Sequence, residues 1–234
     1  MRAPLTVAAA QPACAARDVA ANACEHARLI RVAQARLVVF PELSLTGYEL
    51  DADAVSPDDD ALAPIVAACA QTGSVALVGA PVTGDGGRVH VATLRVTANG
   101  AKVVYRKTFL GGEEPGRFSP GTGATAIEVD GWRVGLGICK DTGVEQHVAD
   151  TAALRVDLYA AGLTHLPEEL ELQEERAARI ARACDAHVVF ASFAGPTGGG
   201  FDRTAGTSSI WAPDGTPVAR AASEPGTLVR ATLR

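Results

Sequence analysis

Apolar runs of strand length recur along the whole chain: LTVAAA from Leu5, LVVF from Leu37, SVALVGA from Ser74, VHVATLRV from Val89, KVVY from Lys102, WRVGLGI from Trp132, VDLYAA from Val156, HVVFASF from His187, SSIWA from Ser208 and TLVRATL from Thr227. Helical patterns lie between several of them. Asp18 to Ala35 carries Val19, Ala23, Ala27, Ile30 and Ala33 at steps of three and four, with Asp18 placed to cap its start. Asp58 to Gln71 has acids in its first turn and Gly73 just beyond its end. Glu168 to Cys184 is acidic early and arginine-rich late, as the helix dipole favours, and Val144 to Leu154 is a shorter candidate.

Asn99-Gly100, Asp130-Gly131 and Asp214-Gly215 each sit between strand-like runs and predict tight antiparallel hairpins. Strands alternate with helices in the first half and around Cys139, so the sheets are expected to be mixed. Two packed sheets flanked by helices suit the pattern better than one parallel, doubly wound sheet. The glycine-rich segment Pro196 to Gly206 reads as a surface loop placed over a site.

With 234 residues, 47% of them hydrophobic, the chain has ample material for one α/β domain over residues 1–234. The net charge is −6, and lysine and arginine are scattered rather than striped, which argues against a nucleic-acid partner. No run approaches the length needed to cross a bilayer, and LTVAAA, broken by Gln11 and Pro12, reads as a first strand rather than a leader. The five cysteines show no CxxC or Cys/His spacing, so a reducing, cytoplasmic setting without disulfides or zinc is expected. None of the five histidines shows HxH or HExxH spacing; neither a metal nor a cofactor is implied.

Glu42 follows LVVFP, Lys107 follows KVVYR and Cys139 follows VGLGI, so each stands at or just past the C-terminal end of a predicted strand, where α/β folds converge on a crevice. Taken singly, each has an ordinary reading: a loop acid, an edge-strand charge, a thiol packed as a small hydrophobe. Their order carries more. VVFPELSLTGY, YRKTFL and GLGICKD resemble, in sequence, the three catalytic motifs of the carbon-nitrogen hydrolase (nitrilase) superfamily. TVAAAQ is similar to its opening strand and SSIWAPDGTPVARA to its closing hairpin, so the resemblance spans nearly the whole chain.

The resemblance implies a four-layer αββα sandwich that associates as a homodimer or higher homo-oligomer. It maps the general base onto Glu42, the lysine onto Lys107 and the nucleophile onto Cys139. The family's fourth acid falls on Glu114, because EPGRFSPG sets Phe118, Pro120 and Gly121 in register, and leaves Glu113 as a solvated neighbour. A carboxylate can take the thiol proton, and an ammonium can steady both thiolate and oxyanion. The implied activity is amide hydrolysis on a small molecule, with N-carbamoyl amino acid hydrolysis and nitrile hydrolysis as alternatives. A ligand-binding protein without catalysis, or a redox-sensing thiol, is the reading from another class.

Beyond the nucleophile the chain departs from the family pattern. CKDTGVEQH has no proline and one residue fewer, and Thr142 and Gly143 stand where an arginine carboxylate clamp often follows. Lys140 is expected to pair with Asp141 or Glu145, or else to attract a carboxylate-bearing substrate. Thr164 and His165 fall where relatives line the pocket, Ser192 replaces an asparagine before the last loop, and Tyr48 is expected to pack beneath Glu42 rather than touch substrate.

Overall fold

The computed structural model describes residues 2–234. The chain runs β1 (Leu5–Gln11), α1 (Val19–Ala33), β2 (Leu37–Val39), α2 (Ala63–Thr72), β3 (Val75–Thr83), β4 (Val89–Thr97), β5 (Gly100–Arg106), β6 (Thr125–Val129), β7 (Trp132–Ile138), α3 (Glu145–Ala153), β8 (Leu158–Leu163), α4 (Leu170–Cys184), β9 (His187–Ser192), β10 (Ser209–Trp211), β11 (Pro217–Arg220) and β12 (Thr227–Leu233). Two six-stranded sheets result, ordered β12-β1-β2-β3-β4-β5 and β11-β10-β9-β8-β7-β6. Each has a parallel centre, β1-β2-β3 or β7-β8-β9, with antiparallel strands added on both sides.

Side chains alternate across each strand, and in the central strands of both sheets both faces are buried. Val7, Ala9, Leu37, Val39 and Leu77 of one sheet meet Val134, Leu136, Ile138, Leu158, Ala160 and Val189 of the other. Their neighbours Ala8, Ala10, Val38, Ala76 and Val78 face outward onto α1 and α2, while Tyr159, Ala161, Val188 and Phe190 face α3 and α4. The sequence therefore reads as continuous apolar runs because the sheets form the two inner layers of an αββα sandwich. Among the described residues no helix is long and apolar enough to cross a membrane.

The expected elements form, with local adjustments at their ends. Asp18 caps α1 by accepting from Ala21 N at 2.9 Å. The acidic start predicted for α2 is a 3-10 turn, Asp60–Leu62, and Pro64 marks the first turn of the α-helix proper. Asp130 and Gly131 both take positive φ, 51° and 78°, the type I′ geometry whose twist matches the flanking strands β6 and β7.

Candidate active site

Glu42 leaves the end of β2 through Phe40-Pro41, in a tight segment pinned to β3: Phe40 N donates to Leu77 O at 2.9 Å and Leu45 N to Gly79 O at 3.0 Å. Lys107 directly follows β5. The loop beyond it folds back, with Gly121 N donating to Lys107 O at 2.7 Å, and carries Glu114 at the head of a 3-10 turn. Cys139 directly follows β7 and opens a further 3-10 turn, Cys139–Gly143. Its φ of 38° is unusual for a residue with a side chain and turns the chain sharply out of the strand.

Three of the sequence-predicted residues form one buried cluster. Lys107 Nζ donates to Glu42 Oε1 at 2.5 Å and to Glu114 Oε1 at 2.6 Å, and all three side chains are almost completely enclosed. Glu114 also accepts from Gly111 N at 2.8 Å and from the Tyr48 hydroxyl at 3.4 Å. Among the described residues Glu42 has no second donor, and its Oε2 is buried without a hydrogen-bond partner. Glu113 is exposed, so Glu114 is the acid that reaches the lysine.

Burial works against the Lys107 ammonium, but Glu42, Cys139 and Glu114 outweigh it and hold its pKa above the ordinary lysine value. Burial raises Glu42 well above a normal carboxyl; Lys107 opposes this, while Cys139 and Glu114 add to it. The two directions agree once the charges are counted: two carboxylates hold the proton on one ammonium, while burial dominates at Glu42, whose Oε2 is bare.

Half-buried Cys139 donates its thiol to Thr164 O at 3.4 Å and opens onto a cavity of about 520 Å³. Lys107, Glu114, Thr164 and His165 share its wall, and Glu42 lies behind them. Thr164 Oγ1 is buried and unpartnered on this wall. His165 has both ring nitrogens engaged, Nδ1 with Gln173 Oε1 at 3.1 Å and Nε2 with Arg176 Nη1 at 3.2 Å.

Two expectations need correction. Lys140 pairs with neither Asp141 nor Glu145; its exposed side chain lines the cavity, and the Asp141 carboxylate turns inward instead. Asp141 Oδ1 accepts from Phe109 N at 2.8 Å, and Oδ2 from Ile138 N at 3.0 Å and the Tyr105 hydroxyl at 2.8 Å. Tyr48 does not sit beneath Glu42 alone: it reaches Glu114, lines the cavity and meets Phe193 and Phe201 edge-on. Phe201 and Gly199 bring the glycine-rich loop onto the same wall.

Sequence reasoning missed Arg176, which reaches the cavity from α4, and the Tyr105–Asp141–His147 group behind the cysteine turn. Asp141, two residues after Cys139, was the only available signal for the second, and nothing in the helix pattern singles out Arg176. Among the described residues no cluster of three His, Cys, Asp or Glu side chains is placed to hold a metal ion. A buried ammonium between two carboxylates, beside a thiol on a cavity floor, is equipped to move a proton and stabilise an oxyanion.

A family model described as carbon-nitrogen hydrolase matches residues 6–234. A Pseudomonas protegens protein named hydrolase in pqqF 5′ region is 31% identical over 226 residues, covering 91% of this chain and 77% of that protein. A CN-hydrolase superfamily protein from Xanthomonas campestris, with an arsenic adduct in its active site, has a TM-score of 0.86 at 19% identity, covering 99% of this chain and 91% of that one. An amidase of the nitrilase superfamily from Nesterenkonia sp. AN1 gives 0.86 at 21% identity, covering 98% and 90%. A Saccharomyces cerevisiae protein of branch 10 of the nitrilase superfamily gives 0.86 at 20% identity, again covering 98% and 90%. At these identities the structural likeness speaks for the fold.

Proposed function

Because the chain belongs to the carbon-nitrogen hydrolase family, we propose that it hydrolyses a small carboxamide through a thioester on Cys139, releasing ammonia. The observation that carries this reading is the buried Glu42–Lys107–Glu114 cluster, with Lys107 at 2.5 and 2.6 Å from the two acids, set beside the half-buried thiol.

In this mechanism Glu42 takes the Cys139 proton, and sulfur attacks the amide carbon. The raised proton affinity of Glu42 suits it to act as base towards a thiol. Charge that develops on the carbonyl oxygen meets the Lys107 ammonium and the backbone N–H of Lys140. Glu42 then protonates the departing nitrogen, ammonia leaves, and the thioester remains. Water, deprotonated by Glu42, attacks the thioester; the acid product leaves and the proton returns to Cys139. Glu114 is a positioning residue that holds Lys107 through both steps, and Thr164 is a cavity-wall residue placed to contact substrate.

Ammonia release from a panel of carboxamides, nitriles and ureido acids tests this. Carboxamides should be turned over, and Cys139→Ala should abolish turnover while leaving the thermal unfolding curve nearly in place. Release from nitriles or ureido acids alone would reassign the substrate, and full activity in Cys139→Ala would defeat the mechanism.

A further inference from the structure

A second cavity lies at the other end of the first sheet, where β3 and β5 begin and β4 ends. It encloses about 510 Å³, within the range of small-molecule sites, and β5 leads away from it towards Lys107. Arg36, Arg95 and Lys102 line it, and no aspartate or glutamate does. These cations are far apart in sequence, so no basic run announces them; the pairing of β2, β3, β4 and β5 gathers them.

The three are not equivalent. Arg36 is engaged within the protein: Nε and Nη2 donate to the Asp130 carboxylate at 2.7 and 2.8 Å, and Nη1 donates to Gly73 O at 2.7 Å. Among the described residues neither Arg95 nor Lys102 has a carboxylate within ion-pair reach. Yet they stand directly opposite each other in the antiparallel β4–β5 ladder, so their side chains leave the same face of the sheet with Cβ atoms about 5 Å apart. Like charges so placed repel. Lys102 is exposed and can lean into solvent, but Arg95 is half-buried, and its Nε is enclosed without a hydrogen-bond partner. A guanidinium nitrogen left bare in the interior costs free energy until something accepts from it.

We propose that Arg95 and Lys102 bind the phosphoryl group of a small phosphate monoester. An ester phosphate carries about −1.5 to −2 charge at neutral pH and three acceptor oxygens. That charge matches two unpartnered cations, whereas a single carboxylate would leave one of them unopposed. The phosphate converts repulsion between the two strands into a bridge: it accepts from the Lys102 ammonium and the Arg95 guanidinium, and a rotation of Arg95 towards it brings the enclosed Nε an acceptor. The volume leaves room beyond the phosphoryl group, where Ala70, Val75, Ala98 and Ala101 offer a wall of small residues to the organic part. None of these residues lines the cavity at Cys139, so the site stands independently of the hydrolase reading.

Titration calorimetry on the intact protein with glycerol 3-phosphate, inorganic phosphate and glycerate tests this. Glycerol 3-phosphate should bind with a Kd below about 1 mM, and at least about tenfold tighter than glycerate. Arg95→Gln should weaken it at least about tenfold. Lys102→Glu sets a carboxylate opposite Arg95; it should abolish phosphate binding and raise the unfolding temperature of the protein without ligand, a gain that a misfolded variant would not show. Inorganic phosphate bound as tightly as the ester would overturn the ester in favour of free phosphate. Absence of binding, equal affinity for glycerate, or binding that survives Lys102→Glu would overturn the site itself.

Discussion

Lys107 Nζ is shared by two carboxylates that are not equivalent. Glu114 gathers the ammonium, the Gly111 N–H and the Tyr48 hydroxyl, whereas Glu42 has the ammonium alone and a bare, buried Oε2. An ionised oxygen without a donor in the interior is costly, which is why burial dominates the upward shift of Glu42. The sign of the resulting pH dependence follows from proton counting. The unfolded chain loses this proton near 4.5, but the folded chain keeps it to higher pH, so folding loses stability as pH rises above that value. Glu42→Gln keeps an acceptor for Lys107 and removes the titration. It should therefore unfold at a higher temperature than the parent at neutral pH, with the gap closing as pH falls to about 4.5, while ammonia release is lost. A gap that stays constant with pH, measured by thermal unfolding across that range, would show that Glu42 titrates normally.

At the scale of elements, the short turn Cys139–Gly143 does the positioning. It is tied behind by Asp141, which ends three donors from three places: the backbone N–H groups of Phe109 and Ile138 and the Tyr105 hydroxyl. Thr142 Oγ1 donates to Cys139 O at 2.6 Å, and Arg179 of α4 donates to Thr142 O at 2.8 Å. Asp141→Ala would leave the Phe109 and Ile138 N–H groups unpaired, while the Tyr105 hydroxyl turns to His147 Nε2 at 2.8 Å, at a cost of about 2 kcal/mol after credit for the removed buried charge. Urea unfolding should show that loss together with reduced turnover, because the turn holds Cys139 at its strained φ of 38°. Which elements were legible follows from burial. The strands announced themselves as apolar runs because most are covered on both sides. β6 and β11 are edge strands with exposed or half-exposed residues, and only the Asp130-Gly131 and Asp214-Gly215 turns betrayed them. Pro217 can open β11 because an edge strand has an N–H to spare. The site divides the same way. Glu42, Lys107, Glu114 and Cys139 are readable because each lies in a local motif, whereas Arg176 acquires its place only when α4 packs beside Gly143.

For the whole molecule, the depth at which Glu42 sits is set by how closely the two sheets approach its backbone. The Pro41–Leu43 segment leaves the first sheet between two glycines, one on each sheet. An added Cβ at Gly79 of β3 would lie 2.4 Å from both Pro41 O and Leu43 N. One at Gly162 of β8, in the opposite sheet, would lie 2.6 Å from Glu42 N and 2.7 Å from Phe40 O. These are backbone atoms, so no side-chain rotation relieves the contact, and either the sheets separate or the Glu42 segment moves. Parting the sheets disturbs the packing of Leu37, Val39, Leu136 and Leu158, all almost fully enclosed between them. The cheaper response is for the segment carrying Glu42 to shift, which lengthens its contact with Lys107. Gly162→Ala should therefore destabilise the fold by roughly 1–3 kcal/mol, as overpacking does. Its effect on turnover should be larger than this, more than about 100-fold, because a displacement near 1 Å is enough to spoil a proton transfer. Chemical unfolding and ammonia-release kinetics on the same variant separate the two effects. Loss of stability with unimpaired turnover would mean that the sheets yield and Glu42 does not.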